Sequence, residues 1–406
     1  MSYYHKTIAI VSIAFCLPCL LGTDWPQFRG PGGISSVADA TIPIEFDDEK
    51  NIGWKTDLPA KGASSPIVVG NKVVVTCSGG SQQEQLYTVC LDSNSGGVLW
   101  TQKYWATGRT LCHPLSANAA PTPASDGTHV FSFFSSNDLA CTDLDGNLIW
   151  FRGLGLDYPK AGNDVGMSAS PVVQDGIVVV VVESQGASFA MGLEADTGKT
   201  VWTIDRKKSA SWTSPVILKA KDGTSKVAIQ SSDRLTLVDL TSGEIYKDYE
   251  GKGNVVPSPS VVGNVLLSPI DGATAYSMES EEPKVLWNSE QVRISSSSFV
   301  VHENKLYTMN GSVIASYDMS DGKQITKARV EGSYWSTPVI AGQHMYMFAQ
   351  DGTGYVVDLN DELKVIHKHQ FKDEVMLGSP AISGNAMYIR SDKSIWKIAD
   401  KSGPAS

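Results

Sequence analysis

Trp212 lies three residues before Pro215, and Trp335 lies three residues before Pro338. Two tryptophans at a matched offset could stack a planar or sugar-like ligand, or simply narrow a channel. Two polar, aromatic-bearing segments add to them. Thr101–Asn118 carries Tyr104, Trp105, Arg109, Cys112 and His113, and Phe151–Ser168 carries Arg152, Tyr158, Asn163 and Asp164. Exposed Trp and Arg are the side chains that binding hot spots favour. The candidate ligand- or partner-binding residues are therefore Trp105, Arg109, His113, Tyr158, Asp164, Trp212 and Trp335. Each has a structural alternative: Trp105 as a plug between neighbouring repeats, Tyr158 as the lid of an Asn-Asp turn, and the paired tryptophans as a funnel wall.

Covalent and metal chemistry find little support. The chain has no H-E-x-x-H, no P-loop and no G-x-S-x-G. His367-x-His369 would place two rings on one face of a strand, with His344 not far away in sequence. Without a third ligand they read as solvent-exposed strand histidines. No catalytic residue, cofactor-binding residue or metal ligand is assigned, and no cofactor is expected.

The elements that must position these residues repeat. A Ser/Thr-Pro dipeptide recurs at Ser65-Pro66, Thr122-Pro123, Ser170-Pro171, Ser214-Pro215, Ser258-Pro259, Thr337-Pro338 and Ser379-Pro380, and Ser297-Ser298-Phe299 fills the one doubled gap. Eight copies at a period near 40 to 50 residues match a four-stranded propeller blade. Within each copy a short strand precedes a tight turn and a second strand, as at Gly70-Asn71, Asp175-Gly176, Gly263-Asn264 and Gly384-Asn385. A third strand then ends in an acidic turn such as Asp196-Thr197-Gly198. The fourth closes on an aromatic: Trp100, Trp150, Trp202, Tyr246 or Trp287. These aromatics should pack between blades.

The expected fold is all-β: an eight-bladed propeller of four-stranded antiparallel blades, closed by an N-terminal strand. The last copy ends after its third strand, Ile395–Ile398, while a lone strand, Ile52-Gly53-Trp54-Lys55, precedes the first copy. Residues 52–57 should complete blade eight, which removes the open edges. The expected organisation is 1–23 signal peptide, 24–51 N-terminal extension, 52–400 propeller and 401–406 tail. Strand parity puts the turns between strands one and two, and three and four, on one face. The long segments after strand four, with Ser78–Gln85 and Glu183–Ser188, share the other. Long loops gathered on one face mark a binding face.

Composition agrees. Gly 37, Pro 19 and Trp 10 suit many turns and aromatic blade contacts. Lys+Arg 33 against Asp+Glu 43 gives a net charge of −10, with no basic run to hold nucleic acid or anionic lipid. The apolar Thr7–Leu21 reads as a signal peptide, too short for a comfortable span, which implies a periplasmic or secreted protein. Membrane contact would follow only if this segment were retained or lipidated at Cys16 or Cys19. Cys77, Cys90, Cys112 and Cys141 remain beyond it. They are either buried thiols or disulfide partners, Cys77 with Cys90 among the pairings open. The chain is expected to be a monomer.

Asp196-Thr197-Gly198-Lys199-Thr200-Val201-Trp202 resembles the D-x-x-T-G-x-x-x-W blade repeat of pyrroloquinoline-quinone-like (PQQ-like) propellers. Trp25-Pro26-Gln27-Phe28-Arg29-Gly30-Pro31 is similar to the opening of exported bacterial members. The resemblance covers nearly all of the chain after the leader. It places the chain in the quinoprotein alcohol dehydrogenase-like superfamily, which also holds non-enzymatic scaffolds of the BamB type. The enzymatic members imply a quinone held with calcium, and some a disulfide between adjacent cysteines or a C-x-x-C-H haem box. This chain has no Cys-Cys pair, and Arg109 stands where a haem box ending in Cys112-His113 needs its first cysteine. The expectation is an exported scaffold that binds a protein or small ligand on its long-loop face, without catalysis. The alternatives are a PQQ-dependent oxidoreductase using PQQ and calcium, and a carbohydrate-binding propeller using Trp105, Trp212 and Trp335.

Overall fold

The computed structural model describes residues 24–280 and 282–400. The signal-peptide expectation falls on residues 1–23, outside the described residues. Eight four-stranded antiparallel blades follow one another around a central channel, and one of them gains a fifth, parallel strand. Blade one is Ile67–Val69, Lys72–Gly79, Gln85–Asp92 and Val98–Trp105. Blades two to seven span 124–153, 172–205, 216–250, 260–289, 300–329 and 339–370. Blade eight is Ala381–Ser383, Ala386–Arg390 and Ser394–Ala399, completed by Ile52–Asp57 pairing antiparallel with Ser394–Ala399. The first and last parts of the propeller thus share one sheet, and the ring has no open seam. Leu154–Asp157 is the one α-helix among the described residues.

Burial follows position in the blade. Second strands are packed on both faces, so Ile177–Val182 is buried at all six positions. Fourth strands have one side against the core and one in water, so Thr200–Asp205 alternates. A bulge near the start of strand four recurs, as between Gly192 and Leu193, and turns the next aromatic onto the following blade. Trp202 is 6% exposed, and its indole covers Gly243 of the next blade. Trp54, Trp100, Trp150 and Trp287 cover Gly96, Gly146, Gly198 and Gly322 in the same way. Each of those glycines has φ between +67° and +87°, and an added Cβ would strike the ring at under 3 Å. Blade four keeps the bulge, but its aromatic comes one residue early. Leu237 pairs with Lys247 and Val238 with Ile245, so Tyr246 sits on the bulge, where Lys226 lies over its ring.

The segment 24–46 is a strap across the tight-turn face. Trp25 pairs with Val68 of blade one, and Pro26 accepts from the Ser125 amide of blade two. Arg29 reaches Pro259 and Ser260 of blade five. Ile34 accepts from the Val301 amide of blade six, Ser36–Val37 pairs parallel with Val339–Ala341 of blade seven, and the Thr41 amide reaches Asn385 of blade eight. One reading changes as a result. His367 and His369 are not solvent-exposed. Phe46 packs edge-on against both, the His367 ring bonds the Phe46 carbonyl at 2.8 Å, and His369 lies 3.3 Å from Asp48. The four cysteines are free thiols. Cys77 opposes Tyr87 and Cys90 opposes Val74, three residues out of register with one another.

Candidate functional site

The central channel contains a cavity of about 370 Å³ built in layers. At its base eight hydroxyl residues, Ser65, Thr122, Ser170, Ser214, Ser258, Ser298, Thr337 and Ser379, form a closed ring. The backbone N–H of each donates to the side-chain oxygen of the next blade's member, at 2.9–3.0 Å all the way round. The following proline explains the motif. Before the first strand begins its ladder, a proline has no N–H in need of a partner. In blade six Phe299 takes that place and is fully buried. The serines and threonines marked the repeat in the sequence. What went unread there was that the eight hydroxyls join into one ring.

The second layer is Ala63, Ala120, Ser168, Trp212, Val256, Ser296, Trp335 and Leu377, one residue per blade, each two before its ring hydroxyl. The offset shared by Trp212 and Trp335 therefore does bring both into one cavity. Phe28 of the strap also lines it, and above lie His113, Leu115 and Ser116 of one long loop with Val165, Gly166 and Met167 of the other.

Buried polar contacts hold these loops. Asp138 is completely buried and accepts from the Thr107 amide at 3.0 Å, the Thr107 hydroxyl at 2.5 Å and the Ser136 hydroxyl at 2.6 Å. Burial pushes its carboxyl pKa up, against these hydrogen bonds. Gly108 passes so close to Ser136 that a Cβ would meet its carbonyl oxygen at 2.1 Å. The Trp212 indole donates to the Gly166 carbonyl at 2.8 Å, which fixes the second loop to the funnel wall.

The sequence candidates divide accordingly. His113, Trp212 and Trp335 line the cavity. Arg109 and Asp164 pair with each other at 2.6 Å, joining the two loops at the solvent side. Tyr158 stacks on Phe189 at 4.0 Å and anchors its loop. Trp105 is the last residue of the outer strand of blade one, 59% exposed, with Lys103 over its ring. It stands apart from the funnel.

No carboxylate lines the cavity, and no group of three or more His, Cys, Asp or Glu among the described residues could hold a metal. Calcium takes six to eight oxygens, carboxylates prominent among them. This donor set does not fit a calcium-bound quinone.

The comparisons with known proteins agree with this architecture. A family profile described as "Outer membrane protein assembly factor BamB" matches residues 43–249 and 271–393. The "Outer membrane protein assembly factor BamB" of Alkalilimnicola ehrlichii is 29% identical over 223 residues, 54% of this chain and 51% of the relative. The chain thus matches about half the length of that curated relative. Among solved structures, BamB from Moraxella catarrhalis superposes with TM-score 0.63 at 15% identity, covering 87% of this chain and 99% of that one. A europium-containing methanol dehydrogenase gives 0.68 at 12% identity, covering 90% and 89%. The quinohemoprotein alcohol dehydrogenase from Comamonas testosteroni gives 0.67 at 10%, covering 95% and 82%. At such identities the structural likenesses establish the propeller alone. The sequence match over most of the chain establishes more: this protein belongs to the BamB outer membrane protein assembly factor family.

Proposed function

We propose that the chain is an exported, non-catalytic scaffold that binds a protein partner through its long-loop face, in the assembly of outer-membrane proteins. The observation that carries this reading is the rim of the funnel. Leu115, Val165 and Trp335 line the cavity yet remain 43%, 45% and 51% exposed, and Leu111, on the same loop as Leu115, is 51% exposed. Exposed apolar side chains gathered at one mouth and framed by the Arg109–Asp164 pair have the make-up of an interface core with a polar rim. Family membership supports the same reading. The wall's lack of carboxylates weighs against the quinone-dependent alternative.

The test is surface plasmon resonance between the purified chain and soluble segments of its host's outer-membrane assembly proteins. Replacing Leu115, Val165 and Trp335 by Ser should weaken binding at least tenfold. Substituting Asn71, Asp196 and Asn264 on the tight-turn face should leave it unchanged. Loss of binding in the second set alone would reverse the assignment of faces.

A further inference from the structure

Arg29 is 1% exposed at the base of the channel, next to Phe28, which lines the cavity. Its guanidinium donates to the carbonyls of Gly33 (2.7 Å) and Pro259 (2.6 Å) and to the Ser260 hydroxyl (2.9 Å). Its Nε has no partner, and it forms no ion pair among the described residues. On the opposite side of the ring Arg390 is equally buried. It donates to the Ser64 hydroxyl and the Thr76 carbonyl, both at 2.7 Å, and meets Cys77 Sγ at 3.7 Å. Asp392 acts on it only at longer range. Pro259 and Ser64 each adjoin a member of the hydroxyl ring, Ser258 and Ser65. Burying a cation without a carboxylate is costly, and burial alone pulls the Arg29 pKa down to about 9.

The ring supplies the second observation. Each of its eight oxygens accepts one N–H from the neighbouring blade, and among the described residues none of the eight hydroxyls donates to a protein acceptor. Their O–H groups border the cavity, whose lining contains no carboxylate. Neither guanidinium lines the cavity itself, but two buried positive charges beside unused O–H donors make a field that favours an anion.

We propose that the funnel binds a small organic anion. Its carboxylate or phosphate group rests on the hydroxyl ring between Arg29 and Arg390, and its apolar body lies in the layer of Trp212, Val256, Trp335 and Leu377. A cavity of about 370 Å³ suits a ligand of that size. The site needs no protein partner, and it shares Trp335 with the docking rim.

The probes are phenylacetate, phenylphosphonate and the neutral phenylacetamide, titrated calorimetrically into the wild-type chain. At least one anion should bind tenfold or more tighter than the amide, and which one does tells carboxylate from phosphate recognition. Inorganic sulfate should compete with the anion but not with the amide. Arg29→Met should bring the anion-to-amide ratio close to one. Ser168→Trp, which places a third indole in a layer that already holds two, should abolish binding of all three. Equal affinity for amide and anions, no anion binding at millimolar concentration, or an unchanged ratio in Arg29→Met would overturn the proposal. The sulfate competition decides the matter in wild-type protein if Arg29→Met does not fold.

Discussion

The indole Nε1 of Trp202 donates to the Leu240 carbonyl of the next blade at 2.8 Å. The same bond joins Trp54 to Ser93, Trp100 to Leu144, Trp150 to Ala195 and Trp287 to Met319, at 2.8–3.1 Å. Five of the eight blades are therefore tied to their successors by a buried or half-buried ring and a directional hydrogen bond, always in the same sense around the propeller. Trp202→Ala should lower stability by roughly 3–5 kcal/mol, because it opens a cavity and leaves the Leu240 carbonyl without its donor. Trp202→Phe should recover the packing but not the bond, and fall between. Chemical denaturation checks the order, and an alanine variant as stable as wild type would rule out this role.

The strap and the closing strand make separable contributions. A chain starting at Ile52 keeps all eight blades complete but loses Trp25 and Phe46, which are 1% and 0% exposed. A chain starting at Ala60 also bares the edge of Ser394–Ala399. The first truncation should lower the melting temperature while unfolding stays cooperative. The second should lower it further and promote association through the open edge. Calorimetry and light scattering distinguish the two. Equal melting temperatures for both truncations would mean that the closing strand adds nothing.

How much was legible in the sequence depended on range. The blade repeat was visible in Ser170-Pro171 and Asp196-Thr197-Gly198 because each blade builds its strands and turns from adjacent residues. The missing partner of Ile395–Ile398 could be sought in Ile52–Lys55 because an open edge is a strong constraint. Strand parity and the Trp212/Trp335 offset led to the funnel for the same reason, since every blade places equivalent residues equivalently. The strap left no such trace. Phe46 meets His367 across more than three hundred residues, and nothing periodic links them, so the histidines looked exposed. Tyr246 follows Gly243 by three residues where Trp202 follows Gly198 by four, so it falls on the bulge and Lys247 takes the inter-blade position; that offset was legible but was passed over.

The acidic turns predict a response to pH. Burial alone would raise the Asp239 carboxyl pKa, but the Lys226 ammonium at 2.8 Å and the amides and hydroxyls of Thr241 and Ser242 bring it well below the usual range. A depressed folded-state pKa stabilises above the unfolded value, near 4, and this stabilisation is lost as pH falls below that value. Asp239→Asn should therefore cost stability at pH 7 and progressively less toward pH 3. Melting curves across that range test it, and a gap that widened on acidification would contradict the sign.

Two acidic contacts on the long loops should behave oppositely. Arg109 and Asp164 are 48% and 81% exposed, and an exposed pair contributes about 0–1 kcal/mol. Arg109→Ala should leave the melting temperature nearly unchanged and release only the solvent side of the loops. Asp138 is fully buried, and its oxygens take up the Thr107 amide and the Thr107 and Ser136 hydroxyls. Asp138→Ala would strand those donors away from water, and each hydrogen bond to a charged acceptor is worth about 1.5–3 kcal/mol. It should therefore destabilise by several kcal/mol and free the segment that follows Thr107. Limited proteolysis should then cut between residues 106 and 117 in Asp138→Ala but not in Arg109→Ala or wild type. The His113 and Leu115 side of the funnel would loosen with it, so partner binding through the rim should fall although Asp138 itself is out of a partner's reach. Greater loss of stability or earlier cleavage in Arg109→Ala than in Asp138→Ala would show that the surface ion pair, and not the buried carboxylate, holds the loop.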